Sequence, residues 1–353
     1  MSIPLLALRV DASASVGMGH LMRCLALTQA WQANGGNATF ISYCESDVLR
    51  QRIESGGIDF IPLDKPHPDP SDLRTTLGTL EGTNCWLALD GYHFDATYQQ
   101  AVRSAGHRLL VIDDYAHLPR YHADVLLDQN INAECLTYQT NPEARLLLGN
   151  RYVLLRSEFL AWRGWRREIP NVARKLLITL GGSDPTNTTL KIIRAIQNVD
   201  VAEVEAKVVI GADNPHYNEL QLAAKHSHVP MQLVREAKAM SELMAWADVA
   251  VSAGGTTCWE LAFMGLPNVV LVMAENQGPN AIGLQEAGAA VNLGWFTEAD
   301  EAMVSKVLNE LAYDPGRRAA MSEGGRRLVD GLGSARVADT LVTLVEQGMG
   351  IGQ

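Results

Sequence analysis

Cysteine is scarce in this sequence, and no two cysteines are close enough in the sequence to form a C-x-x-C motif. The five are Cys24, Cys44, Cys85, Cys135 and Cys258. Closely spaced cysteines are typical of zinc sites and of the disulfide frameworks of small secreted proteins. Their absence excludes both and predicts reduced thiols in a cytoplasmic protein.

Positive charge and long apolar runs are scarce as well. The sequence has 29 Lys and Arg against 40 Asp and Glu, a net charge of -11, so it offers no basic surface for nucleic-acid phosphates. Residues 1–10 lack the basic region of a signal peptide. The apolar stretch at 261–274 is shorter than the about 20 residues that span a bilayer. We expect neither a nucleic-acid partner nor membrane insertion.

The sequence does contain a regular alternation of short apolar runs with longer amphipathic ones. In the first half we predict strands at 5–10, 38–43, 86–90, 108–113 and 124–127, and helices at 21–34, 47–56 and 95–105. In the second half we predict strands at 175–180, 206–211, 231–234, 248–252 and 268–273, and helices at 186–197, 216–225, 237–246, 256–264 and 280–287. Such alternation is typical of βαβ units. It predicts an α/β protein of two doubly wound, Rossmann-like domains that face each other across a cleft.

The alternation also suggests where the domains end. We place the first domain at 1–160, the second at 174–332 and a C-terminal helix at 333–353. One arrangement open to this helix is to pack back across the cleft. Three more helices are predicted at 298–312, 316–332 and 335–347. The connector at 158–173 holds two tryptophans and three clustered arginines. It is either a solvated loop or a surface that faces the cleft or a partner, and the oligomeric state stays open.

The loop after the first predicted strand ends in a Gly-x-Gly-His run. Gly17 and Gly19 permit a ligand to approach the backbone closely, and His20 stands near the start of the next helix. Histidine is the side chain that most readily exchanges a proton near neutral pH. His20 is therefore a candidate base, with a purely packing or capping role as the alternative.

Two glycine turns in the second half are candidates for binding a phosphate. Gly181-Gly182-Ser183 follows the strand predicted at 175–180, and Gly254-Gly255-Thr256-Thr257 follows the strand at 248–252. Backbone N–H groups at such strand-to-helix turns bind phosphate oxygens. Glu260, one helical turn later, either accepts hydrogen bonds from a ribose diol or forms part of a capping box. An ordinary tight turn is the alternative for Gly181-Gly182-Ser183.

Polar residues follow other predicted strands. Asn276 and Gln277 are candidates to bind a sugar or a phosphate. Asp90 and Asp113 end two strands of the first half, where a carboxylate orients His20, binds sugar hydroxyls or caps a turn.

Motifs of cofactor enzymes are missing. The sequence has no P-loop and no H-E-x-x-H, and Met22 replaces the third glycine of a dinucleotide fingerprint. His226 and His228 form a pair without a third ligand. We therefore expect no nicotinamide, no metal and no other cofactor.

Six segments occur in an order that resembles one enzyme family. They are Arg9 to Leu27 with its Gly-Met-Gly-His-Leu-Met-Arg run, Ile112-Asp113-Asp114, Leu127-Asp128-Gln129-Asn130, Leu155-Arg156-Ser157-Glu158-Phe159, Gly181-Gly182-Ser183-Asp184-Pro185, and Gly254-Gly255-Thr256-Thr257 with Glu260. From Leu5 to about Val345 the sequence is similar to the UDP-2,4-diacetamido-2,4,6-trideoxy-β-L-altropyranose hydrolases of pseudaminic acid biosynthesis. The second-half motifs are shared with GT-B glycosyltransferases, so they bear more on the fold than on the reaction.

The resemblance implies a GT-B fold with UDP held mainly by the second domain, and metal-independent, inverting hydrolysis that cleaves the anomeric C–O bond. It implies that His20 activates the attacking water while amides of the two glycine turns bind the diphosphate. The predicted substrate-binding residues are Asp11, Gly17, Gly19, Arg23, Tyr92, Arg156, Gly182, Ser183, Gly255, Thr256, Thr257, Glu260, Asn276 and Gln277. The loop Ala12-Ser13-Ala14-Ser15 departs from the glycines or prolines common in the family and leaves the exact sugar open.

Three rival functions remain. A GT-B glycosyltransferase would transfer the sugar to an acceptor, and a non-catalytic nucleotide-sugar-binding subunit would bind UDP without turnover. An epimerase shares the fold, but the motif around His20 argues against it.

Overall fold

The structure is a computed structural model that describes residues 3–13, 16–182, 184–212, 214–235, 237 and 239–349. Contacts divide the chain into two compact units. Unit 1 comprises residues 1–157 with 331–353, and unit 2 comprises residues 158–330. Each unit contains one parallel sheet, which confirms the predicted α/β class.

Strands and helices alternate through most of the chain. The strands are β1 (Leu5–Val10), β2 (Ala38–Ser42), β3 (Asp59–Pro62), β4 (Cys85–Asp90), β5 (Arg108–Ile112), β6 (Val125–Asp128), β7 (Arg145–Leu148), β8 (Lys175–Thr179), β9 (Glu205–Ile210), β10 (Met231–Arg235), β11 (Val249–Ala253), β12 (Asn268–Val272) and β13 (Ala290–Trp295). The α-helices are α1 (Gly19–Ala33), α2 (Asp47–Ser55), α3 (Asp72–Leu80), α4 (Ala96–Ser104), α5 (Ser157–Leu160), α6 (Thr188–Ile196), α7 (Tyr217–Lys225), α8 (Met240–Trp246), α9 (Thr257–Phe263), α10 (Gly278–Glu286), α11 (Glu301–Tyr313), α12 (Pro315–Leu328) and α13 (Gly333–Met349). None of the helices in the described ranges is long and apolar enough to cross a membrane.

The sheet of unit 1 has seven strands in the order β3-β2-β1-β4-β5-β6-β7. Leu6 and Leu8 of β1 are buried in one core, and Ala7 between them is buried in another on the opposite face. Burial on both faces explains why every residue of the strand except Arg9 is apolar. The chain places β2 and β3 on one side of β1 and then returns to place β4 on the other. Ligands of doubly wound sheets bind at the carboxyl ends of the strands beside such a reversal.

Unit 2 repeats this design. Its six parallel strands lie in the order β10-β9-β8-β11-β12-β13, with the reversal between β8 and β11. The loops after β8 and β11 are the two glycine turns noted in the sequence. Both turns therefore lie where a doubly wound sheet presents its loops to a ligand.

Five of the strands and α-helices named above were not predicted from the sequence, among them the four-residue helix α5. Strands β3, β7 and β13 lie at sheet edges, and most of their side chains are partly or fully exposed. They lack the continuous apolar run of a central strand. Helix α3 contains three threonines and a glycine, which are poor helix formers.

The last helix packs within unit 1. Val337, Ala338, Leu341 and Val345 of α13 are buried in the same core as β1 and α1. Trp86 of β4 donates a hydrogen bond to the carbonyl of Leu341 at 3.2 Å. The chain thus returns to unit 1 after completing unit 2.

The connector at 158–173 belongs to unit 2, and Arg167 binds it to other elements of that unit. Its guanidinium donates to the carbonyls of Gly265 at 3.0 Å and of Met244 at 2.6 Å, and also to the carbonyl of Ala247. These carbonyls lie at the ends of α8 and α9, where the last C=O groups of a helix lack partners within it. Burial lowers the pKa of Arg167 to about 10, with Asp248 opposing the shift and Arg326 adding to it.

Candidate active site

Carboxylates follow four neighbouring strands of unit 1. Asp11 comes directly after β1, Asp90 ends β4, Asp113 and Asp114 follow β5, and Asp128 ends β6. All five are buried. Because buried charges need partners, their hydrogen bonds show how this edge of the sheet is organised.

His20 is paired with Asp90. The residue lies in the first turn of α1, and its Nδ1 is 2.6 Å from Oδ1 of Asp90. An ionised carboxylate only accepts hydrogen bonds, so Nδ1 carries the proton and Nε2 of the neutral ring is left as an acceptor. Nε2 has no hydrogen-bond partner among the residues that the structure describes. This is the arrangement of an oriented general base.

Arg23 holds Asp90 in its charged form. Its Nε lies 2.7 Å from Oδ2 of Asp90, and one terminal nitrogen lies 2.7 Å from Oδ1. Burial alone would raise the pKa of Asp90, but Arg23 and His20 together bring it well below its usual range. The other terminal nitrogen of Arg23 binds Asp114 at 2.7 Å. The guanidinium is thus directed at two carboxylates of its own unit.

Tyr92 completes this group on the far side of Asp114. Its hydroxyl donates to Asp114, and its ring meets the ring of His20 edge-on at 5.0 Å. The side-chain amide of Asn130 donates to the same carboxylate at 2.8 Å. Sequence reasoning did not select Asp114 or Asn130 as site residues, although both stand in motifs that follow strands.

Asp11 belongs to a separate buried network. Its carboxylate accepts hydrogen bonds from Arg9 at 3.0 Å and from the backbone N–H groups of Tyr43 at 3.0 Å and His67 at 3.1 Å. Arg9 also pairs with Asp72 at 2.8 Å. Asp11 therefore ties the loop after β1 to the loops after β2 and β3.

The remaining predicted residues of unit 1 are less connected. Gly17 has φ of +83°, which favours glycine although a Cβ would meet no neighbour in the described part of the chain. Gly19 is the first residue of α1. Arg156 is buried close to the end of the first segment of unit 1.

In unit 2 the turn after β8 is shaped by contact between two glycines. A Cβ on Gly211 would collide with the carbonyl oxygen of Gly182, so the loops after β8 and β9 touch through their backbones. Asp184 accepts hydrogen bonds from the N–H groups of Thr188 at 2.9 Å and Thr189 at 2.8 Å. A carboxylate thus already caps the start of α6. Ser183 lies outside the described residues.

The turn after β11 leaves its backbone donors available. The side chain of Thr256, which precedes α9, makes no capping hydrogen bond. Within the described part of the chain, the N–H groups of Gly255, Thr256 and Thr257 have no acceptor. Glu260 is buried one turn further on. A capping box requires that the N-cap hydroxyl and the glutamate each accept a hydrogen bond from a backbone N–H group. Because the hydroxyl of Thr256 accepts none, the capping-box alternative for Glu260 is incomplete.

Gln277 fixes this turn in place. Its Oε1 accepts hydrogen bonds from the N–H of Gly254 at 3.1 Å and from the N–H of Met273 at 3.0 Å. A Cβ on Gly254 would lie 3.0 Å from Cβ of Gln277. The side chain thus joins the loops after β11 and β12, and Asn276 precedes it in the same short 3-10 turn.

The predicted residues form two sets. Unit 1 holds His20, Asp11, Gly17, Gly19, Arg23, Tyr92 and Arg156, and unit 2 holds Gly182, Gly255, Thr256, Thr257, Glu260, Asn276 and Gln277. Asp90 and Asp114 bring His20, Arg23 and Tyr92 together.

Comparisons with known proteins agree with this architecture. Residues 176–331 match the model of the glycosyltransferase family 28 C-terminal domain. The chain is 31% identical over 205 residues to the spore coat polysaccharide biosynthesis protein SpsG of Bacillus subtilis, covering 58% of this chain and 60% of that protein. It is 21% identical over 287 residues to the UDP-2,4-diacetamido-2,4,6-trideoxy-beta-L-altropyranose hydrolase of Campylobacter jejuni, covering 80% of this chain and 97% of that enzyme. It thus spans less than two thirds of SpsG.

The fold is shared with solved structures at low sequence identity. MurG of Acinetobacter baumannii superposes with a TM-score of 0.63 at 14% identity, over 96% of this chain and 99% of MurG. With its two doubly wound units, the protein has the GT-B fold. Within it, residues 176–331 are similar to the glycosyltransferase family 28 C-terminal domain.

Proposed function

We propose that the protein hydrolyses a UDP-linked 2,4-diacetamido-2,4,6-trideoxy hexose to UDP and the free sugar, a step of pseudaminic acid formation. The observation that carries the proposal is the pair of His20 and Asp90, 2.6 Å apart, at the strand-order reversal of unit 1. It presents one imidazole nitrogen, without a hydrogen-bond partner among the described residues, where ligands of this sheet type bind.

In this proposal, Nε2 of His20 takes a proton from a water molecule. The water oxygen forms a bond to C1 of the sugar while the bond between C1 and the UDP oxygen breaks. The electron pair of the broken bond stays on the diphosphate, and His20 then releases its proton to solvent. Attack from the side opposite UDP inverts C1. A positioned general base contributes about 10²–10⁴-fold to such a reaction, without a metal ion.

We assign the nucleotide to unit 2. The three N–H groups of Gly255, Thr256 and Thr257 are suited to the diphosphate, where preorganised donors also stabilise the charge of departing UDP. We assign Glu260 to the ribose hydroxyls and Asn276 to a further polar contact. Gly182 and Ser183 are proposed as a second contact with the diphosphate. The family 28 match, which covers all of these residues, supports the assignment.

The sugar is assigned to unit 1. Gly17, Gly19, Tyr92 and Arg156 are proposed to contact it. Arg23 and Asp11 are engaged in buried ion pairs, so we propose that they act chiefly by shaping the site. The identity of the sugar is supported by the name of the Campylobacter jejuni relative.

The proposal is tested with UDP-2,4-diacetamido-2,4,6-trideoxy-β-L-altropyranose, EDTA and ¹⁸O-water. NMR and mass spectrometry should show UDP release with ¹⁸O in the sugar, and His20→Asn should abolish it while the variant stays folded. Label in UDP, or near-normal turnover by His20→Asn, would overturn the mechanism. Tight UDP binding without release of any sugar would instead identify a non-catalytic binding subunit.

A glycosyltransferase is the second candidate. It is favoured by the family 28 domain and by the structural likeness to MurG. In that case His20 would activate an acceptor hydroxyl instead of water. UDP release that begins only when an acceptor is added, with no free sugar formed, would establish transfer.

A further inference from the structure

Beside His20 lies a group of three rings, of which the proposed function uses only Tyr92. Tyr115 follows β5, and its ring is 4.9 Å from the ring of Tyr92, which is itself 5.0 Å from His20. His117 lies 5.5 Å from both tyrosine rings. We call Tyr92, Tyr115 and His117 the aromatic wall. It begins at the candidate base and ends at Tyr115, whose side chain is 41% exposed.

One buried carboxylate fixes the loop that carries this wall. Oδ1 of Asp113 accepts a hydrogen bond from the N–H of Tyr115 at 2.9 Å, and Oδ2 lies 3.0 Å from Nδ1 of His117. Tyr121 donates to the same carboxylate. Asp113 is fully buried and holds the loop from the interior of unit 1, while the ring of Tyr115 stays at the surface.

The backbone between the two rings is strained. Ala116 has φ of +54°, a left-handed conformation that residues with a Cβ rarely adopt. Such strain persists only where surrounding contacts enforce it, and it clusters at ligand-binding sites. Here it lies between the backbone N–H of Tyr115 and the ring of His117, both of which contact the Asp113 carboxylate.

We infer that Tyr115 is a specificity-determining residue, whose ring packs against the methyl-bearing substituents of the sugar. The inference rests on the proposed function for the sugar's place beside His20. An acetamido group or a 6-deoxy carbon offers a methyl group that a rigid, exposed aromatic face can cover. One methyl contact in an apolar pocket discriminates substrates by about 10–200-fold.

Kinetics provide the first part of the test. Tyr115→Ala should lower kcat/KM for the diacetamido-trideoxy substrate by about 10–200-fold. It should also lower the ratio of this kcat/KM to the kcat/KM for UDP-N-acetylglucosamine, which measures the selectivity. Tyr115→Phe keeps the ring and should stay near wild type. Ala116→Gly should relax the loop and lower the same selectivity. Tyr313→Ala removes a 58% exposed tyrosine of unit 2. This variant is the matched control and should leave kcat/KM and the selectivity unchanged. Equal selectivity in Tyr115→Ala and wild type would overturn the inference.

Saturation-transfer NMR provides a readout that does not need turnover. With the UDP-sugar bound to the wild-type chain, the acetyl and C6 methyl protons should receive strong transfer that Tyr115→Ala weakens, while uridine signals stay equal. If this pattern appears without UDP release, the hydrolase proposal fails and the role of Tyr115 stands. If methyl transfer is the same in both proteins, the role of Tyr115 fails whether or not the enzyme is active.

Discussion

Asp90 binds His20 and Arg23 with the same carboxylate: Nδ1 of His20 lies 2.6 Å from Oδ1, and Nε of Arg23 lies 2.7 Å from Oδ2. The arginine keeps the carboxylate ionised, and the ionised carboxylate fixes the proton of the imidazole on Nδ1. A charge buried beside the sheet thereby determines which ring nitrogen is available for chemistry.

Replacing Asp90 by asparagine should therefore remove activity without removing the ring. In Asp90→Asn, the amide can donate to Nδ1, which favours a proton on Nε2 and blocks that atom as a base. We expect kcat to fall by about 10²–10⁴-fold with little change in UDP affinity. Steady-state UDP release and titration calorimetry measure the two quantities.

Nitrogen-15 NMR of labelled histidine supplies the control for this prediction. It should show His20 changing from the Nδ1-H to the Nε2-H tautomer in Asp90→Asn, in a protein whose circular dichroism is unaltered. A folded variant with wild-type kcat would mean that Asp90 does not orient the base.

Gln277 should affect nucleotide affinity indirectly. Gln277→Ala removes the acceptor that joins the N–H groups of Gly254 and Met273, so the donors of the next three residues lose their fixed geometry. We expect the Kd for UDP to rise about 10-fold, as the loss of one to two hydrogen bonds predicts. Calorimetric titration with UDP measures this change.

The matched variant for this experiment is Gln285→Ala. The side chain of Gln285, in α10, accepts a hydrogen bond from the N–H of Asn292 in β13 at 3.0 Å, within the same unit but outside the glycine turn. Its removal should leave UDP binding unchanged. Equal weakening by both variants would indicate a general loss of stability in unit 2 rather than a role for the glycine turn.

Local signals in the sequence located the central strands and the loops that carry the candidate residues. Glycines and hydroxyl residues between an apolar run and a helix mark such loops wherever they occur. The partners of these residues could not be read in the same way, because Arg23 and Asp114 are 91 positions apart and meet only through sheet order. Gln277 was predicted to contact a ligand because it is a polar residue that follows an apolar strand. The hydrogen bond that it accepts from Gly254 joins two loops and could not be read from the sequence.

Arg167 should contribute to the stability of unit 2. Arg167→Met keeps much of the side-chain volume but leaves the carbonyls of Met244, Ala247 and Gly265 without their donor. Unpaired groups of this kind cost about 1–3 kcal/mol, so we expect the free energy of unfolding to fall by about 2 kcal/mol. Arg166→Met, at the exposed neighbouring position, should change it by less than about 0.5 kcal/mol. Chemical denaturation of both variants checks this difference, and equal effects would contradict it.

Asp128 should make stability depend on pH. Burial, with Asp114 and Asp113 adding to it, raises the pKa of Asp128 from 3.8 to about 7. Because the folded state holds this proton more tightly than the unfolded chain, the residue favours folding most below pH 3.8, and this contribution is lost as the pH rises toward about 7. The variant Asp128→Asn cannot titrate at this position. The free energy of unfolding of the wild type should therefore fall relative to that of the variant as the pH rises toward about 7, and the difference should level off above that pH. Urea denaturation of both proteins from pH 5 to pH 8 measures the difference, and a flat one would mean that Asp128 is already ionised at pH 5.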